Sequence, residues 1–138
     1  MAVEGYLLDT ARIIDALNNR GETRVQLHSL LSAGHTLACC TINIIEVYAG
    51  MRPKERIATD EFLHNLEYYS ISWKVAARAG ALRYSWARKG HTLSLHDVTI
   101  AAVAIEHNLI LLTDNERQFP MPELRLAGPC RSVLDQAL

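Results

Sequence analysis

The sequence predicts a three-layer α/β/α sandwich built on a mainly parallel sheet. Short apolar runs of strand length alternate with segments of helical periodicity along the whole chain, and no linker, repeat or low-complexity tract interrupts them. The apolar runs are continuous rather than polar at every second residue, as expected of strands covered on both faces. At 138 residues the chain can bury a full core without disulfide or metal staples, so residues 1–138 read as one domain.

The elements follow in order. Residues 5–9, GYLLD, form a buried strand, and a short helix over 10–17 ends at the turn signal Asn18-Asn19-Arg20-Gly21. A second helix spans about 22–33, with Gly34 as the residue that stops it. TLACCT, residues 36–41, is the next strand. It leads into an apolar helix at about 44–49, which Gly50 and Pro53 break. A helix near 57–66 precedes the strand EYYSI, residues 67–71. Ser72 then caps a long helix over 73–89, whose apolar positions 75, 76, 79, 82 and 86 recur at helical spacing and which Gly90 closes. Ser94 opens an almost wholly apolar helix that ends near His107-Asn108. Residues 109–113, LILLT, form a strand, a short turn or helix starts at Glu116, and a last strand lies around 124–126.

Composition narrows the function. The formal charge of −1 gives no global basic excess, so any nucleic-acid contact rests on a local patch. No apolar run reaches the roughly 18 residues of a membrane span, and the N-terminus lacks the basic start and apolar core of a signal peptide. The cytoplasm is the expected location. Cys39, Cys40 and Cys130 lack metal-site spacing and read as small buried hydrophobes.

In open parallel sheets, ligands gather beyond the carboxyl ends of the strands. Four acids fall at such ends: Asp9 after the first strand, Glu46 five residues past the second, Asp97 in the first turn of the apolar helix, and Asp114, followed by Asn115, after the strand 109–113. Each has a plain structural explanation. Ser94-x-x-Asp97 and Asn43-x-x-Glu46 resemble capping boxes, and Asp9-Thr10 and Asp114-Asn115 resemble turn or helix starts. Capping does not explain their coincidence at one rim, where several carboxylates repel one another unless a cation neutralises them. With oxygen ligands and no His or Cys at ligand spacing, Mg²⁺ or Mn²⁺ suits such a site better than zinc, and phosphodiester hydrolysis is the natural chemistry.

The segments LLDT (7–10), TINIIEVYAG (41–50), HDVTIAAVAIEHNLILLTDN (96–115) and ERQF (116–119) together resemble the PIN-domain family, most of all the toxin ribonucleases of the VapBC type. The resemblance covers nearly the whole chain. It implies an α/β/α sandwich, one or two Mg²⁺ or Mn²⁺ ions, endonucleolytic cleavage of RNA, a homodimer, and a cognate antitoxin whose C-terminal segment lies in a groove and turns a basic side chain toward the acids. On the same resemblance Asp9, Glu46 and Asp97 match the three central acids, and either Asp114 or Asn115 fills the fourth position.

Other residues carry open readings. Thr10 and Thr113 stand where a hydroxyl orients water or a carboxylate, or merely ends a strand. Arg12 and Arg117 are the cations nearest the acids and candidates for holding phosphate, whereas Lys74, Arg78, Arg88 and Lys89 read as solvated surface charge. His96 reads as a capping-turn side chain. In the segment 44–53, Tyr48 and Met51 are expected to face a partner groove continued by Phe62 and Leu66, while Val47 and Ile57 pack on the sheet. Two alternatives compete. A phosphoacceptor receiver module needs a Lys after a late strand, where this chain has Asp114-Asn115-Glu116-Arg117. A degenerate PIN domain that binds RNA or protein without cutting is kept open by Asn115.

Overall fold

The structure, a computed structural model, describes residues 2–128. Five strands, β1 (Gly5–Leu8), β2 (Thr36–Cys40), β3 (Glu67–Tyr69), β4 (Ile110–Leu112) and β5 (Arg125–Ala127), form one sheet in the order β3-β2-β1-β4-β5. Every pairing is parallel, with Leu7 opposite Ala38 on one side and Leu111 on the other. The α-helices among the described residues are α1 (Thr10–Leu17), α2 (Thr23–Ser32), α3 (Thr41–Gly50), α4 (Arg56–His64), α5 (Trp73–Arg88) and α6 (Leu95–Glu106).

Strand alternation divides the core into two layers. Leu7, Ala38, Cys40 and Leu111 point to one face, where Val75, Ala79 and Leu82 of α5 and Val98 to Ala104 of α6 cover them. Tyr6, Leu8, Leu37, Cys39 and Leu112 point to the other, against Ile13 and Ala16 of α1, Leu27 and Leu30 of α2, Val47 of α3 and Leu63 of α4. The apolar character of α6 follows: Val98, Ile100 and Val103 are fully buried, and burial of each contributes about 1.5–3 kcal/mol. Cys39 and Cys40 are buried free thiols on opposite faces, as expected; Cys130 lies outside the described residues. Gly34 and Gly90 each follow a helix C-cap with φ of 91°, a conformation that costs a side chain strain, which is why those helices stop there.

Two expectations are corrected. The helix expected at 44–49 starts three residues earlier, at Thr41. The Cys40 N–H donates to Asn43 Oδ1 at 2.8 Å, so Asn43 sits inside the first turn and is not the cap. Glu46 therefore lies in the second turn rather than the first. Ile57 does not pack on the sheet and is 75% exposed. Thr59 and Leu63, one turn apart, are the buried residues of α4, and Ile57 lies about 200° around the helix from Thr59. Among the described residues no helix is long and apolar enough to cross a membrane.

Candidate active site

Strand order reverses at β1, which pairs with β2 on one side and β4 on the other, so the carboxyl ends of these three strands form the central rim of the sheet. Asp9 follows β1 directly and caps α1. It is 6% exposed, its Oδ1 accepting the Thr10 N–H at 2.8 Å and its Oδ2 the Thr113 hydroxyl at 2.7 Å. Both donors are neutral, and among the described residues no cation lies within ion-pair distance of Asp9. A buried carboxylate without a compensating charge is costly.

From Asp9 a chain of polar contacts runs across the rim. The Thr10 hydroxyl donates to Glu46 Oε1 at 2.6 Å and accepts from Asn43 Nδ2 at 3.0 Å. The same Glu46 oxygen lies 2.8 Å from His96 Nε2, and His96 Nδ1 lies 3.0 Å from Asp97 Oδ1. Burial favours the neutral His96 ring, but the hydrogen bond with Asp97 and the charges of Glu46, Asp9 and Asp97 outweigh it, so its pKa is held above the ordinary histidine value. Ser94 caps α6 by accepting the Asp97 N–H at 3.0 Å, whereas the Asp97 carboxylate turns to His96. Only half of the expected capping box is formed, and the acid is directed to the site.

The structure thus brings Asp9, Glu46 and Asp97 together through Thr10 and His96, while Thr113 braces Asp9. Thr113 Oγ1 also accepts the Asn115 N–H at 3.1 Å, which fixes the turn after β4. Asp114 stands apart. It is largely exposed, with Oδ2 3.6 Å from Arg12 Nη1. Arg12, a candidate for holding phosphate, is buried: Nη2 donates to Gln26 Oε1 at 2.6 Å, and Nη1 donates to Thr23 Oγ1 at 3.4 Å. Arg117 is exposed on the 3-10 turn 116–118, beside Asp114 and Asn115.

Sequence reasoning missed two participants. Asn43, fully buried, ties the start of α3 to Thr10; the sequence marked it only as the first residue of a capping box with Glu46. His96 bridges two acids rather than capping a turn; its adjacency to Asp97 was the signal.

Tyr48 and Met51 do not share a groove. Tyr48 lines a depression with Ile44, Ile45, Leu63, Leu66 and Tyr68, its hydroxyl donating to Asp60 and the Arg56 guanidinium 5.0 Å from its ring centroid. Met51 lines a different one with Ile14, Leu17, Val47 and Thr59. Met51 caps α3 with extended backbone, which turns it off the helix face that carries Tyr48.

A divalent ion fits this rim by donor chemistry, since the acids offer hard oxygens and Asp9 lacks a counter-charge. As the side chains stand, no three His, Cys, Asp or Glu groups among the described residues converge on one point, because the His96 ring lies between Glu46 and Asp97.

An all-parallel α/β/α domain with carboxylates gathered past its central strands defines a class of proteins with an acidic, oxygen-donor site. The chain belongs to the PIN-domain family, whose model matches residues 6–123. It is 30% identical over 120 residues to Ribonuclease VapC19 of Mycobacterium tuberculosis, a match covering 86% of this chain and 96% of the relative. It is 29% identical over 119 residues to Ribonuclease VapC2 of Rickettsia felis, covering 83% and 89%. The crystal structure of VapBC2 from Rickettsia felis bound to a DNA fragment from its promoter superposes with a TM-score of 0.80 at 28% identity, over 91% of this chain and 98% of that one.

Proposed function

We propose that this chain is a Mg²⁺- or Mn²⁺-dependent endoribonuclease, the toxin of a toxin–antitoxin pair that works in the cytoplasm as a homodimer and is held inactive by a cognate antitoxin. The observation that carries this reading is the linked set Asp9, Thr10, Glu46, His96 and Asp97 at the central rim of the sheet. The names of the relatives support both the reaction and the pairing.

Asp9, Glu46 and Asp97 would hold the ion, with Asp114 or Asn115 at the outer edge. The bound ion would supply charge stabilisation for the phosphoryl group and a more acidic water. Thr113 and Thr10 fix the orientation of Asp9 and Glu46 by donating hydrogen bonds to them, and Asn43 fixes Thr10. His96 lies between Glu46 and Asp97, within hydrogen-bond distance of both.

A second reading, an RNA- or protein-binding domain that does not cut, is favoured by one observation: His96 already satisfies Glu46 and Asp97. Incubation with structured RNA, with and without Mg²⁺ or Mn²⁺, separates the two. Metal-dependent cleavage that falls by several orders of magnitude in Asp97→Asn supports the nuclease. Cleavage that survives in Asp97→Asn, or an unresponsive RNA at every metal concentration, rejects it.

A further inference from the structure

Helix α5 concentrates positive charge. Lys74, Arg78, Arg83, Arg88 and the following Lys89 are five of the chain's 14 Lys and Arg residues, and the helix has no acidic residue. The two ends of this stripe differ. Lys74 Nζ lies 3.3 Å from Glu106 Oε2, and Arg78 pairs with Glu106 Oε1, so the N-terminal end is partly neutralised by the last residue of α6. These pairs also fix α5 and α6 as antiparallel neighbours. The C-terminal end of α5 therefore lies beside the first turn of α6, which carries His96 and Asp97. There Arg83 Nε donates to Leu93 O at 3.0 Å and ties down the segment before that turn. Among the described residues no carboxylate pairs with Arg83, Arg88 or Lys89.

This unneutralised end is also aromatic. Tyr84 is 66% exposed, with the Arg88 guanidinium 5.6 Å from its ring centroid, and Lys89 Nζ lies 4.4 Å from that of Trp86. A shallow depression lined by Gly80, Arg83, Tyr84, Ala87, Thr92 and Leu95 runs from this face of α5 to the start of α6, whose first turn also carries Asp97. Cations beside one exposed aromatic ring, Tyr84, and one half-buried ring, Trp86, match single-stranded RNA, whose phosphates need charge and whose unstacked bases need a planar surface.

We infer that the C-terminal half of α5, through Tyr84, Arg88 and Lys89, is the surface along which single-stranded RNA is led to the Asp97 edge of the site. This rests on the ribonuclease reading and names where its substrate lies. It also replaces the expectation that these cations are only solvated surface.

The test uses the Asp97→Asn chain, so that RNA is bound without being cut, and a fluorescein-labelled single-stranded RNA of mixed sequence followed by anisotropy over a salt series. Adding Arg88→Ala and Lys89→Ala should weaken binding about tenfold, and should reduce the slope of log Kd against log salt by about 1.4, two phosphates at roughly 0.7 each. Tyr84→Ala should weaken binding about fivefold or more, and leave that slope unchanged. Arg88→Lys should restore most of the salt dependence. A control pair, Arg52→Ala and Lys54→Ala, lies beyond α3 in the layer across the sheet and should change nothing.

The inference is overturned if the α5 pair binds RNA with the parent's affinity and slope, if the control pair loses as much, or if no RNA binds. It is also overturned if the α5 pair keeps RNA but loses a co-expressed protein partner, which would make this a protein interface. The ribonuclease reading fails separately: a wild-type chain that never cuts RNA, yet binds it through α5, refutes the nuclease and leaves this surface standing.

Discussion

Asn43→Ala isolates one small polar hub. The Asn43 side chain is fully buried and makes two hydrogen bonds: its Oδ1 accepts the Cys40 N–H at 2.8 Å, and its Nδ2 donates to Thr10 Oγ1 at 3.0 Å. Truncation deletes both and strands the Cys40 N–H, a backbone donor in a fully buried residue. Each lost bond costs about 1 kcal/mol and an unmatched buried donor about 1–3 kcal/mol, so the expected destabilisation is about 3 kcal/mol. At roughly 3–4 °C per kcal/mol for a domain of this size, the melting temperature should fall by about 10 °C. Asn43→Asp provides the comparison. It keeps the acceptor for Cys40 at the favourable end of α3 but cannot donate to Thr10, and it adds a carboxylate near Asp9 and Glu46. Much of the stability should return while Mg²⁺ binding, followed by calorimetry, changes from the parent. A loss under about 0.5 kcal/mol for Asn43→Ala in urea unfolding, or a Asn43→Asp chain as unstable as Asn43→Ala, would refute the assignment of Asn43 as the tie between α3 and Thr10.

Two further expectations concern the rim and the partner. Asp114→Ala should weaken Mg²⁺ binding more than Asn115→Ala, because a carboxylate contributes charge and an amide does not; calorimetry showing wild-type affinity in Asp114→Ala moves the fourth position to Asn115 or leaves the site with three acids. If an antitoxin occupies the depressions beside α3, Tyr48→Ala and Met51→Ala should each weaken binding of the co-expressed product of a neighbouring small gene. Since the two residues line separate depressions, their losses should add, and unchanged affinity in both places the interface elsewhere.

The layers and the rim were legible in the sequence because both depend on local patterns. Continuous apolar runs such as YLL and LILL read as strands covered on both faces, and a parallel sheet sends their carboxyl ends to one edge, the edge where Asp9, Glu46 and Asp97 are linked and from which Asp114 stands apart. Helix phase was harder. Thr41 and Ile42 are β-branched residues that extend a strand pattern, and this hid the early start of α3, which is decided by the amide of Asn43 reaching back to Cys40. The fate of single side chains was not legible where it depends on residues distant in sequence. Arg12 is internal because Thr23 and Gln26 of α2 meet it, His96 is a bridge because Glu46 of α3 arrives beside it, and Ile57 is outside because α4 presents Thr59 and Leu63 inward.

The hydrogen bond from Thr113 to Asp9 joins residues 104 positions apart. Its consequence concerns synthesis and turnover. The three linked acids come from the end of β1, from α3 and from α6, and the brace on the most buried of them arrives only with β4, after residue 109. A chain still emerging from the ribosome, or one clipped before that strand, lacks the partner on one whole side of β1. The destructive chemistry proposed for this rim would therefore be withheld until β4 has been made, and would be among the first properties lost when β4 detaches.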